Sequence, residues 1–128
     1  MTLYLIRGLP GVGKSTLAER LVAYSVEADQ FFVKEGVYQF DASQIKEARE
    51  FCQKKTRAFL ENGHDVAVAN TFTRRWEMEA YYDMAKELEV TVVEITVQNQ
   101  MTDEELSKRC VHGVPVETIK RMRERWEQ

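Results

Sequence analysis

The sequence predicts an α/β fold, a small parallel sheet of about four to five strands between layers of helices, with a short helical lid. Three observations predict it. Short β-branched runs alternate with amphipathic stretches along the chain. One glycine-rich turn, Gly8-Leu9-Pro10-Gly11-Val12-Gly13-Lys14-Ser15, joins the first run directly to the first amphipathic stretch. The length of 128 residues suits one domain with a real core, residues 1–128, with the lid at about 101–115.

The first strand is expected over Leu3–Arg7 and the first helix from Lys14 to about Tyr24. A weak second strand follows at Ser25–Ala28. Residues Asp29–Phe40 show no clear period and read as an active-site loop or a short irregular helix. Asp41-Ala42-Ser43-Gln44 has the pattern of a capping box for the second helix. Ile45, Ala48, Cys52 and Phe59 then share one face, and Asn62-Gly63 stops the helix. The third strand is Asp65–Ala69. The third helix runs from about Arg74 to Leu88, with Tyr81, Met84, Ala85 and Leu88 at helical spacing. Thr91–Val97 is strongly β-branched and reads as the fourth strand. Thr102-Asp103-Glu104-Glu105 caps a short helix ending near Arg109. His112-Gly113-Val114-Pro115 breaks it, and a last helix runs from about Val116 to the end.

Composition excludes several classes. No segment approaches the length that spans a bilayer, and the apolar N-terminus reads as a strand rather than a signal peptide. The two cysteines, Cys52 and Cys110, have no metal or redox spacing and fit free thiols in a reducing cytosol, so a cytoplasmic protein is expected. A net charge of −3 argues against broad attraction to nucleic acid, although Lys108, Arg109, Lys120, Arg121, Arg123 and Arg125 make the tail locally basic.

The glycine-rich turn fits G-x-x-x-x-G-K-[ST], the phosphate-binding P-loop. A strand turning into a helix aims backbone N–H groups and the positive helix end at one spot, which suits a polyphosphate. Gly8, Pro10, Gly11, Val12, Gly13, Lys14, Ser15 and Thr16 are therefore the expected binding residues for ATP. Lys14 reaches the β- and γ-phosphates and the Ser15 hydroxyl ligates Mg²⁺. Phosphoryl transfer further needs a group that takes the acceptor's proton and a cation for the charge that develops. Asp29, after the second strand, is the candidate base, against the plainer role of a loop or capping aspartate. Arg109, on the expected lid, is the candidate cation, against a solvated helix face. Strand three ends in Ala69-Asn70-Thr71, without an acid, so Mg²⁺ is expected to rest on Ser15, nucleotide oxygens and water. Asn70 and Thr71 sit where an acceptor could be held or simply make a turn. Phe31 and Phe32 fit either a stacking platform or core packing, while Trp76 and Trp126 read as packing residues and His64 as a surface residue.

Arg7 to Thr16 closely resembles the P-loop of the polynucleotide-kinase-like kinases, the kinase domain of phage polynucleotide kinase and its small single-domain relatives. The likeness continues in Asp29-Gln30-Phe31-Phe32, Tyr38-Gln39-Phe40-Asp41, Asn70-Thr71, Trp76-Glu77-Met78, Glu105 to Pro115 and Ile119 to Met122. The resemblance implies ATP-dependent transfer of the γ-phosphoryl group to a hydroxyl, with Asp29 as general base and Arg109 as the lid arginine. His112 falls where the polynucleotide kinase has a second lid arginine. The acceptor side departs from the family: Phe32 stands in place of an acceptor-binding arginine, Asn70 in place of an aspartate, and Phe72 in place of an asparagine. Phe32, Asn70, Thr71 and His112 are accordingly the expected acceptor-side residues. The leading expectation is a kinase of a nucleic-acid or nucleotide hydroxyl, at a 5′ end or on a hydroxymethylated base. A small-metabolite or nucleoside kinase and a non-catalytic nucleotide-binding module are the alternatives.

Overall fold

A computed structural model describes residues 1–128. Four parallel strands form the sheet: β1 (Thr2–Arg7), β2 (Tyr24–Val26), β5 (Val66–Asn70) and β6 (Thr91–Thr96), in the order β2-β5-β1-β6. The register pairs Leu5 with Val68 on one side and Glu94 on the other. The three-layer α/β arrangement is the expected one.

Alternation along β1 decides what lies on each side. Leu3 and Leu5 point with Val66 and Val68 into the larger core, where α2 (Ile45–Glu61) and α3 (Glu79–Leu88) supply Cys52, Leu60, Tyr81, Met84 and Ala85. Ile6 points the other way with Ala67 and Ala69, against Ala18 and Leu17 of α1 (Lys14–Leu21). The connection leaving β1 thus covers one face and that leaving β5 covers the opposite face. The crevice between their carboxyl ends is where such sheets bind ligands. A third cluster joins Val12 of the glycine-rich turn to Leu106 of α4 (Asp103–Arg109) and Ile119 of α5 (Val116–Glu124).

Several boundaries differ from expectation. The first helix stops at Leu21 and β2 begins at Tyr24, so β2 lies one or two residues earlier than predicted. Residues Asp29–Phe40 are not a loop. A 3₁₀ helix, Ala28–Phe32, leads into a hairpin of β3 (Val33–Lys34) and β4 (Val37–Tyr38). Its turn is Glu35-Gly36, with φ of 52° and 78°, the two left-handed residues that a tight hairpin requires. The expected capping box at Asp41 is half present: the Asp41 carboxylate accepts from the Ser43 N–H and hydroxyl at 3.0 and 2.7 Å. The third helix begins as a 3₁₀ turn, Arg75–Met78. The last helix ends at Glu124, and the remaining residues run back to β1.

Candidate functional site

The glycine-rich turn lies where the sequence puts it, between β1 and α1. Gly13 begins α1 at φ 109°, a conformation that a Cβ would oppose. Gly11 has a second reason to be glycine. Its φ is +81°, and a Cβ there would stand 2.4 Å from the Leu106 carbonyl oxygen. Helix α4, within the segment where a lid is expected, is therefore seated directly on the turn, with Leu106 fully buried against Val12. Pro10 is buried and Thr16 exposed.

Lys14 turns back on the loop, its Nζ donating to the Leu9 carbonyl at 3.0 Å. Burial brings its ammonium down to about 8, against an opposing pull from Glu27, Asp29 and Cys110. The charges of Glu27 and Asp29 act on the ammonium because the turn and the carboxyl end of β2 lie at the same edge of the sheet. Ser15 donates its hydroxyl to Glu27 Oε1. Glu27 escaped the sequence reading, which sought an acid after the third strand. The usable signal was an acid directly following the second strand. Ser15 and Glu27 are hard oxygen donors and fit Mg²⁺, and no three acids or histidines gather into a metal cage.

Asp29 is on the 3₁₀ helix after β2, half exposed. Tyr38 donates its hydroxyl to Asp29 Oδ1 at 3.2 Å, and His112 Nε2 stands 3.8 Å from Oδ2. Burial and the neighbouring Asp29 carboxylate push the Tyr38 hydroxyl well above its ordinary range, so it stays a donor. His112 thus reaches the site, while Arg109 lies on the exposed end of α4 with its guanidinium on Met101 Sδ at 3.3 Å.

The other acceptor-side expectations fall differently. Asn70 accepts from the Ala28 N–H at 2.9 Å and donates to Cys52 Sγ at 3.6 Å, so it ties the end of β5 to the segment carrying Asp29. Thr71 beside it is partly buried, and its hydroxyl has no hydrogen-bond partner within the chain. Phe32 is 3% exposed, its ring enclosed by Phe31, Tyr38 and Phe40. It supports the hairpin from beneath and shows no open face for an acceptor. Trp76, expected to pack, is half exposed with the Arg49 guanidinium 5.0 Å from its ring. His64, expected at the surface, is partly buried and stacks on Tyr24 at 4.4 Å.

Arg7 was also missed. It is 1% exposed, with Nε and Nη2 donating to the Phe72 carbonyl at 3.1 and 2.7 Å and Nη2 to the Glu127 carbonyl at 2.6 Å. The Trp126 ring lies 4.5 Å from the guanidinium. Phe72 is left-handed at φ 45°, which asparagine tolerates better than phenylalanine, and the arginine fork holds that strained carbonyl in place. The tail thereby forms one wall of a cavity of about 360 Å³ beside Gly8, Leu9, Val12, Val97 and Leu106. Arg123 and Arg125 are engaged within the fold, with Asp103 and Thr73.

A family profile described as an AAA domain matches residues 3–128. The chain belongs to that family. This AAA domain is 33% identical to human NEDD4-binding protein 2 over 136 residues, which takes in all of the domain and 8% of that protein. The domain superposes on Kti12 of Chaetomium thermophilum, solved with ADP-AlF3, with a TM-score of 0.72 and 17% identity, covering 98% of the domain and 80% of that chain. It superposes on a chain of the Pnkp1/Rnl/Hen1 RNA repair complex at 0.69 and 20% identity, covering 97% and 43%. A gluconokinase from Sinorhizobium meliloti gives 0.65 at 15% identity, covering 99% and 75%. At such identities the superpositions show the fold, a P-loop kinase fold, and the domain spans a small part of the human relative's length. No helix is long and apolar enough to cross a membrane.

Proposed function

We propose that this domain transfers the γ-phosphoryl group of ATP to a hydroxyl of a nucleic acid or nucleotide. The observation that carries the reading is the hydrogen bond from Ser15 of the glycine-rich turn to Glu27, two residues before Asp29, which brings the turn to the carboxyl end of β2. A phosphate-binding turn and a half-exposed carboxylate then face the same space, the arrangement in-line transfer needs. The amides of Gly11 to Thr16 receive the β- and γ-phosphates, and Lys14 leaves the Leu9 carbonyl for them. Ser15 and Glu27 would hold Mg²⁺, which would neutralise charge on the phosphates. Asp29 accepts the acceptor's proton, the acceptor oxygen bonds to the γ-phosphorus, and the bond to the β-bridging oxygen breaks to release ADP. Arg109 closes over the phosphates by a movement of α4 away from Met101.

Likeness to a chain of an RNA repair complex and to a nucleotide-bound Kti12 supports a nucleic-acid acceptor and an adenine nucleotide donor. The test is γ-labelled ATP with 5′-hydroxyl DNA and RNA oligonucleotides. Label should pass to an oligonucleotide, with affinity falling as salt rises. Asp29→Asn should bind ATP as the wild type does and lose at least a hundredfold in turnover. Absence of transfer to every oligonucleotide, with transfer to a neutral sugar instead, would put the acceptor among small metabolites.

A further inference from the structure

Beside Asp29 stand Tyr38, to which the phosphoryl-transfer reading gives no role, and His112, which the sequence places on the acceptor side without saying how it would act. Their rings stack, centroids 4.0 Å apart and planes 23° from parallel. Tyr38 comes from the hairpin, His112 from the segment joining α4 to α5, and Asp29 from the 3₁₀ helix after β2. Asp29 and Tyr38 lie nine residues apart, and the segment joining α4 to α5 brings His112 from far along the chain to the same carboxylate.

The distances sort the two oxygens of that carboxylate. Oδ1 is committed, at 3.2 Å from the Tyr38 hydroxyl. Oδ2 stands 3.8 Å from His112 Nε2, too far for a hydrogen bond, and no other protein group donates to it. The stack on Tyr38 holds His112 at that remove. An oxygen placed to one side of the line joining the two atoms lies at about 2.8 Å from both, an ordinary hydrogen-bond length. Burial keeps the tyrosine protonated, so Oδ1 stays occupied.

We propose that Tyr38 and His112 are positioning residues that reserve Oδ2 of Asp29 for the acceptor's proton and seat the acceptor hydroxyl between Oδ2 and His112 Nε2. The inference rests on the phosphoryl-transfer reading and adds its acceptor seat. The acceptor O–H bond breaks as its proton passes to Oδ2. The oxygen bonds to the γ-phosphorus, and the β-bridging oxygen leaves with ADP. A hydrogen bond from Nε2 to the oxygen's remaining lone pair fixes the direction of attack.

The experiment measures steady-state transfer from ATP to a mixed-sequence 5′-hydroxyl oligonucleotide, with ATP hydrolysis to water followed in parallel and ATP affinity measured by calorimetry. His112→Ala should raise the acceptor KM at least tenfold, and His112→Gln, whose amide N–H can stand near the Nε2 position, should recover part of that loss. Tyr38→Phe keeps the stack and loses the hydroxyl. It should lower kcat about tenfold, within the usual range for a disturbed proton acceptor, and leave the acceptor KM within twofold. ATP affinity should stay at the wild-type value in all three. Equal loss in His112→Gln and His112→Ala, a wild-type kcat in Tyr38→Phe, or a matching loss of ATP affinity would overturn the seat while wild-type transfer stood. If the wild type neither transfers nor hydrolyses while Asp29→Asn binds ATP equally, the phosphoryl-transfer reading itself has failed and the seat falls with it.

Discussion

The two sides of the cleft are built by different means. On the proposed donor side the backbone would do the binding, and the residues that shape it are contiguous: Gly8 to Ser15 between β1 and α1. On the acceptor side each role hangs on a side chain held from far away. Asn70 reaches back 42 residues to the Ala28 N–H, and His112 comes from the lid to the carboxylate of Asp29. A contiguous backbone device tolerates change around it and is readable as a motif. A site assembled from distant side chains is open to change one side chain at a time.

The sharpest break of that comparison is at Gly11. The donor side is local except here, where the lid helix presses its Leu106 carbonyl into the space a Cβ would take. Gly11→Ala meets both a left-handed backbone and a contact that only movement of α4 relieves. It should cost about 2–5 kcal/mol in urea denaturation, adding the backbone and overpacking terms, and weaken ATP binding with it. A loss under about 1 kcal/mol with wild-type affinity would mean that α4 yields freely and the lid is not seated on the turn.

The same contrast explains what could be read from the chain. The P-loop, four parallel strands and the flanking helices were legible because glycine spacing, β-branched runs and helical periodicity are local signals. The hairpin was not, because Glu35-Gly36 lacks the asparagine or aspartate that usually announces a two-residue turn, and its strands have two residues each. Arg7 and Asn70 were legible as types at the ends of strands but not as partners of Phe72 and Ala28, since sequence shows no distance. Phe32 read equally as a platform or as core, because an aromatic pair looks the same whether it faces solvent or the hairpin's underside, and the structure buries it. Glu27 was overlooked because the acid was sought after β5, whereas the parallel sheet brings the end of β2 to the same edge.

Lys14 gives the next largest effect. Its folded-state value, about 8, lies below the ordinary 10.5, so between those two the unfolded chain binds more protons than the folded one. Stability of the nucleotide-free protein should therefore rise with pH through that window, once burying the ammonium no longer carries a cost. Lys14→Met removes the group. At pH 7 the variant should be about 1–3 kcal/mol more stable than the wild type, and the gap should narrow markedly by pH 10. Paired denaturation curves at the two pH values check this. A gap independent of pH would show that Lys14 is not strained in the empty turn. The donor side would then lack the stored tension that phosphate relieves.

Asn70 tests the acceptor side with the smallest disturbance. Its side chain makes one good bond, 2.9 Å to the Ala28 N–H, and a weak one to Cys52 Sγ. Asn70→Ala leaves the partly buried N–H next to Asp29 without a partner, a loss of about 1–2 kcal/mol in stability. Asn70→Asp keeps an acceptor for that N–H while exchanging the donor facing Cys52, so it should recover most of the stability. The functional split matters more than the stability. Both sides of the cleft rest on one sheet, so a general loosening would weaken ATP binding and transfer together. If Asn70 acts by holding the segment that carries Asp29, Asn70→Ala should lower kcat several-fold and leave ATP affinity intact. Parallel losses in both would mean that the end of β5 supports the phosphate-binding turn as well, and that the two sides are not separable by a single side chain.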